Sequence, residues 1–158
     1  MSETGRVFQI NSSEGGVPKH PLRAAQVDMF GVVGDKHRDM VHHGGPDRAV
    51  CLYALEHILA LQAEGNPIFP GSVGENVTIS GLAWEHVVPG SRIQLGGQVV
   101  LEVTRYTEPC SNISESFVDG YFNRIHQNKN AGWSRVYTRV LQPGDVKVGD
   151  EVVLEVAP

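Results

Sequence analysis

At 158 residues, 41% hydrophobic and 20% charged, the chain has enough apolar material for a core and suits a single domain over 1–158. A formal net charge of −5 argues against general binding to nucleic acid or to an anionic membrane, and two cysteines are too few for a disulfide framework, a four-cysteine zinc site or an iron–sulfur cluster. "MSETGRVFQI" has no apolar leader core and no run approaches membrane-spanning length, so a cytoplasmic chain with reduced thiols is expected.

The first β-type run is "GRVFQI" (5–10). A Ser/Gly/Pro loop follows, "NSSEGGVPKHPL" (11–22), which carries Lys19 and His20 and by itself reads as surface. "AAQVDMFGVVG" (24–34) is the next strand-like stretch. In "VHHGGPDRAVCLYA" (41–54), Gly44, Gly45 and Pro46 make a loop whose backbone can approach a ligand. Arg48 opens the apolar run "RAVCLY", where a guanidinium needs a partner and a bound anion is one candidate. His42 and His43 point to opposite sides of an extended backbone, which makes them poor joint metal ligands. Read alone, the stretch is equally a glycine turn with solvated His and Arg. Cys51, between Val50 and Leu52, reads as a core filler.

"ALEHILALQAEG" (54–65) is predicted as the clearest helix, over 54–64, with Leu55, Ile58, Leu59 and Gln62 on one face and Gly65 just past its end. In "FPGSVGENVTISGL" (69–82), Gly71 and Gly74 flank a tight connection and Glu75-Asn76 begins a strand. An asparagine there donates and accepts toward a heterocycle, or simply caps a turn. "SRIQL" (91–95), "VVLEVTRY" (99–106), "WSRVYTRVL" (133–141) and "EVVLEV" (151–156) complete the strands, and a second helix is predicted over "DGYFNRIHQ" (119–127). Lys129 and Arg135 flank Gly132-Trp133, which also suits an aromatic anchor with surface charges. "PGSRIQLGGQVVLEV" (89–103) is echoed by "PGDVKVGDEVVLEV" (143–156), so two hairpins are predicted. In them Val99, Leu101, Val103, Val152, Leu154 and Val156 would share one face, with Val100, Glu102, Val153 and Glu155 on the other. Many short strands with little helix predict a mainly β fold, a closed or nearly closed barrel.

Cys110 stands apart. In "TRYTEPCSNI" (104–113) it follows Pro109 at a strand end, in a polar loop rather than an apolar run. Arg105 and nearby N–H groups are placed to favour its thiolate, which a soft metal centre or a sulfur-transfer reaction requires.

In order along the chain, "GGVPK" (15–19), "GVVGDKH" (31–37), "HGGPDRAVCLY" (43–53), "PGSVGENVTISGL" (70–82), "PGSRIQLGGQVVLEVT" (89–104), "PC" (109–110) and "PGDVKVGD" (143–150) resemble the MOSC domain, and within it the small stand-alone bacterial proteins. "HGGPDRAV" and "GENVT" carry most of that likeness. The resemblance implies a mixed β-barrel with a few short helices, and a molybdenum cofactor (molybdopterin) bound as an anion. It implies that Cys110 ligates molybdenum and is the catalytic residue, with Lys19, His43, Arg48, Glu75, Asn76, Arg105 and Arg135 as cofactor-binding candidates. The implied activity is reduction of N-hydroxylated compounds such as N-hydroxylaminopurines or amidoximes, with electrons from a separate flavoprotein. The alternatives are a sulfur carrier or cofactor-delivery module using a persulfide on Cys110, and a non-catalytic β-barrel. Pyridoxal phosphate is not expected.

Overall fold

The Val- and Ile-rich runs become strands, and the computed structural model describes residues 2–36 and 45–157. The strands are β1 (Ser2–Ser12), β2 (His20–Leu22), β3 (Ala24–Asp28), β4 (Gly31–Val32), β5 (Val50–Ala54), β6 (Val77–Ser80), β7 (Arg92–Leu95), β8 (Val99–Tyr106), β9 (Val136–Gln142), β10 (Gly144–Lys147) and β11 (Glu151–Glu155). The run 24–34 is thus two short strands, and Pro46–Arg48 form a 3-10 turn ahead of β5. Seven strands close a barrel in the order β11–β7–β8–β9–β5–β6–β1, with β1 returning to β11. β1 closes it through its length: Ser2–Arg6 pair with β11, Arg6–Ile10 with β6, and Ile10–Ser12 with β2. Among these pairs β5–β6 runs parallel, and a parallel neighbour needs a crossover. The helix α1 (Leu55–Ala63) is that crossover.

Alternation builds the core. Val99, Leu101, Val152 and Leu154 are fully buried and Val103 nearly so, while Val100, Glu102 and Val153 are partly exposed and Glu155 exposed. Burying each such aliphatic side chain contributes about 1.5–3 kcal/mol. The expected face is therefore formed, although Val156 is only half-buried. The hairpin 89–103 forms as β7–β8. The second does not: β10 pairs with β3 in a separate three-stranded sheet, β10–β3–β4, and β11 pairs with β7 and β1. The turn at Val148–Asp150 is captured by β1, through Gly149 N to Val7 O at 2.8 Å and Val7 N to Asp150 O at 2.9 Å. Barrel closure outweighs local hairpin pairing.

α1 ends as its sequence directs. Gly65, at φ 99°, lets its own N–H reach Gln62 O and that of Asn66 reach Leu61 O, closing the last turn. Its inner face differs from the expected one. Ile58 and Leu61 are buried, whereas Leu59 is exposed and Gln62 lies outside the core. Periodicity in so apolar a segment admits neighbouring faces, and docking on the barrel selects one of them. The helix expected over 119–127 is two short 3-10 turns, Val118–Gly120 and Phe122–Ile125, interrupted by Asp119 at positive φ and by Tyr121. No described helix is long and apolar enough to cross a membrane.

An ion pair ties the start of β1 to the 3-10 turn Trp84–His86. The Glu3 carboxylate accepts from Ala83 N at 3.1 Å and contacts His86 Nδ1. The hydrogen bond with Glu3 raises the His86 pKa, and that with His86 lowers the Glu3 pKa. The raised histidine contributes below its ordinary 6.5 and loses its effect as pH climbs through the folded value. The lowered carboxyl contributes above its ordinary 4.5 and fails as pH falls through the folded value. Wild type is therefore expected to melt above His86→Ala near pH 5–6, with the gap closing toward pH 9. Thermal melts across that range check this, and a gap independent of pH contradicts it.

Candidate functional site

At one end of the barrel, the β1–β2 loop, the approach to β6 and the segment after β8 surround a cavity of about 290 Å³. β5 and β9 supply part of its wall through Cys51 and Tyr137. Their buried pairing fixes that wall, with Cys51 opposite Tyr137 in register.

Lys19 reaches the cavity because its loop is pinned. Its N–H donates to Gly71 O at 2.9 Å, and Gly71 has φ 90°. A Cβ at Gly71 would stand 2.5 Å from the Lys19 carbonyl oxygen, so this close approach requires glycine. Lys19 Nζ lies 2.6 Å from Asp35 Oδ1, with both side chains buried. Asp35 also accepts from Ser13 N and from Asn76 Nδ2, each at 2.9 Å. Asn76 Oδ1 in turn accepts from Cys51 N at 2.9 Å. One buried carboxylate thus joins the β1–β2 loop to the start of β6, and through Asn76 to β5.

Arg135, just ahead of β9, is 6% exposed and lines the same cavity. Its Nη1 donates to Val73 O at 2.6 Å, while its buried Nε has no hydrogen-bond partner among the described residues. A buried, incompletely partnered guanidinium is costly unless something anionic completes it. Tyr137 adds a phenol whose pKa burial pushes far up, so it remains a protonated hydroxyl.

The two cysteines sit differently on this wall. Cys51 is 5% exposed within β5, with Sγ 3.8 Å from Thr107 Oγ1, and burial pushes its thiol pKa up. Cys110 is half-buried, in extended backbone that leads into the 3-10 turn Ser111–Ser116. The unexpected point is that Cys51, although a strand-core residue, also touches the cavity. Thiolate fraction and access govern alkylation, so a maleimide is expected to label Cys110 before Cys51 in the native apo-protein. Peptide mapping after partial labelling gives the order, and modification of Cys51 first would reverse these roles.

Of the residues singled out in the sequence, Lys19, Asn76, Cys110 and Arg135 converge on this cavity from distant positions. Arg48 is not among its described lining; its guanidinium lies over the Tyr137 ring, 6.0 Å from the centroid. Arg105 is exposed on β8, paired in register with Tyr137 but not lining the cavity. Glu75 turns away into the core, fully buried, where Oε2 accepts from the Thr78 hydroxyl at 3.0 Å and burial raises its carboxyl pKa. His43 lies outside the described residues. Residues not singled out also line the cavity: Lys36, Glu108, Asn112 and Tyr137. Glu108 carried a usable signal, since it stands two residues from Cys110 in extended chain.

A family model for the MOSC domain matches residues 39–153. The chain belongs to the MOSC family. Among curated relatives, this MOSC chain is 32% identical over 143 residues to the uncharacterised protein YflK of Bacillus subtilis, covering 89% of this chain and 63% of that one. It is 31% identical over 122 residues to YiiM of Escherichia coli, covering 74% and 53%. A protein of Gibberella moniliformis named a reductase is 35% identical over 130 residues, covering 78% of this chain and 22% of the fungal one. The chain therefore spans less than two-thirds of each of these relatives. Solved structures share the fold. YuaD of Bacillus subtilis superposes with a TM-score of 0.79 at 20% identity, covering 100% of this chain and 99% of that one. YiiM of Geobacillus stearothermophilus gives 0.72 at 25% identity, covering 96% and 75%.

Proposed function

We propose that this MOSC domain holds a molybdenum cofactor in the cavity beside Cys110 and reduces N-hydroxylated compounds. The observation that carries the reading is Arg135: a buried guanidinium with a spare Nε–H, sharing one cavity with Lys19 and the accessible Cys110 thiol. That donor set fits an anionic pterin phosphate. Arg135 and Lys19 would bind the phosphate, Asn76 would hold Lys19's partner Asp35 in place, and Cys110 would supply one thiolate. Bound there, the cofactor supplies two-electron redox chemistry at molybdenum. The net reaction is R–NHOH + 2e⁻ + 2H⁺ → R–NH₂ + H₂O, with electrons from a separate flavoprotein. Tyr137, whose phenol stays protonated, forms part of the wall that would enclose the substrate. The reductase name of the fungal relative supports the redox reading.

The test is metal and pterin content of protein made in a cofactor-competent host, followed by turnover of benzamidoxime with an artificial electron donor. About one molybdenum per chain with turnover supports the proposal; metal-free protein without turnover sinks it. Arg135→Ala is expected to lower cofactor retention by about one to two decades, because charge-assisted hydrogen bonds contribute about 1.5–3 kcal/mol each. Arg48, whose guanidinium lies over the Tyr137 ring and is not among the described lining, is expected to cost less than about tenfold when changed to alanine. Retention measured after gel filtration ranks the two, and equal loss in both would place Arg48 in the site alongside Arg135.

A further inference from the structure

Glu108 and Asn112 flank Cys110 on the cavity wall, two residues to either side. The backbone at Cys110 is extended, φ −139° and ψ 176°, and Pro109 is buried. Alternate residues of extended chain share a face, so the Glu108 carboxylate and the Cys110 thiol come to one side. The turn Ser111–Ser116 brings Asn112 back to it. Both Glu108 and Asn112 are exposed, so they stand toward the mouth rather than the floor.

The charges on the wall are asymmetric. Lys19, Lys36 and Arg135 are the cations, and Glu108 is the sole carboxylate among the described lining residues. An anionic cofactor gains nothing from Glu108 and is repelled by it. Glu108 also has no salt-bridge partner among the described residues. A carboxylate beside the reactive thiol, in a cavity otherwise arranged for an anion, serves a ligand that donates N–H groups.

We propose that Glu108, assisted by Asn112, is the specificity-determining residue of this site, reading the paired N–H donors of amidine-type nitrogen bases. Glu108 accepts two N–H bonds from the N–C–N edge, and Asn112 complements it with a donor and an acceptor of its own. Amidoximes carry an NH₂ donor next to the hydroxylated nitrogen, N-hydroxylated aminopurines carry an N–H on that nitrogen itself, and the reduced products carry more. Aprotic N-oxides and anionic oxides lack them and are disfavoured. The inference rests on the reductase reading for its substrate, but the recognition can be measured without turnover.

The experiment titrates benzamidine, benzamide and benzoate into purified, molybdenum-loaded protein by calorimetry, with wild type and Glu108→Gln in parallel. Glutamine keeps the shape and removes the charge, and molybdenum content with an unchanged melting temperature verifies that the variant is folded and loaded. Wild type is expected to bind benzamidine at least about tenfold more tightly than benzamide, and Glu108→Gln to erase that preference. In turnover, the variant is expected to raise KM for benzamidoxime by about tenfold, with a smaller change in kcat. Equal benzamidine affinity in the two proteins overturns the proposal. Glu108-dependent benzamidine binding without turnover of any N-hydroxylated compound upholds the recognition site and rejects the reductase reading. Turnover with the same KM in both proteins does the opposite.

Discussion

Cys110→Ser is expected to give a folded protein in which the proposed reduction of N-hydroxylated substrates falls below detection. The thiol is half-buried, on extended chain, and lines the cavity rather than belonging to the buried core. Replacing sulfur by oxygen there should change stability by no more than about 0.5 kcal/mol. The chemistry changes far more, because a serine hydroxyl stays protonated near neutral pH and is a hard donor, whereas molybdenum needs a thiolate. Lys19 and Arg135 are untouched, so pterin binding should persist while turnover is lost. Cys51→Ser should divide the other way. Its sulfur is buried in β5 with Thr107 Oγ1 at 3.8 Å, so a hydroxyl there costs about 1–3 kcal/mol, while the proposed thiolate ligand Cys110 is left intact. The measurements are denaturant midpoints, molybdenum content and benzamidoxime turnover for both variants. Full turnover in Cys110→Ser would remove the thiol from the chemistry. Persulfide on Cys110 of a molybdenum-free wild type would favour sulfur transfer instead.

The contrast between the two cysteines was legible because each announced its setting locally. Apolar neighbours placed Cys51 in a strand, and Pro109 with polar neighbours placed Cys110 in a loop. The barrel was legible for a similar reason: alternation in "VVLEV" gives the inward face whichever strand lies next to it. Strand partners were not. The repeat at 143–156 looked like a hairpin, yet β10 and β11 joined different sheets, because β1 is long enough to bind the turn between them and close the barrel. Side-chain direction was the other gap. Glu75 and Asn76 are neighbours, and only Asn76 faces the cavity, while Glu75 is turned toward Thr78. Arg105 and Arg135 look alike as isolated basic residues, but their places beside the β8–β9 ladder leave one exposed and the other buried. Asp35 drew no notice because its partners lie 16 and 41 residues away.

Asp35→Ala is expected to be the most destabilising of these changes, at about 3–5 kcal/mol, because it strands a buried ammonium. Lys19 Nζ would lose its partner at 2.6 Å, and Asn76 Nδ2 and Ser13 N would each lose an acceptor at 2.9 Å. The cost should lie mainly in the unpaired charge rather than in the lost pair. Adding Lys19→Met therefore ought to recover part of it, since a methionine fills similar space without a charge to desolvate. Urea unfolding of wild type, both single variants and the double variant gives the coupling directly, provided the slopes agree. A coupling of about 1–3 kcal/mol is expected; strictly additive losses would show that Asp35 does not hold Lys19. The double variant also separates stability from binding. It regains folding without regaining the cation, so cofactor retention should stay low in a barrel that is again stable. Retention restored along with stability would mean that Lys19 matters to the fold and not to the anion.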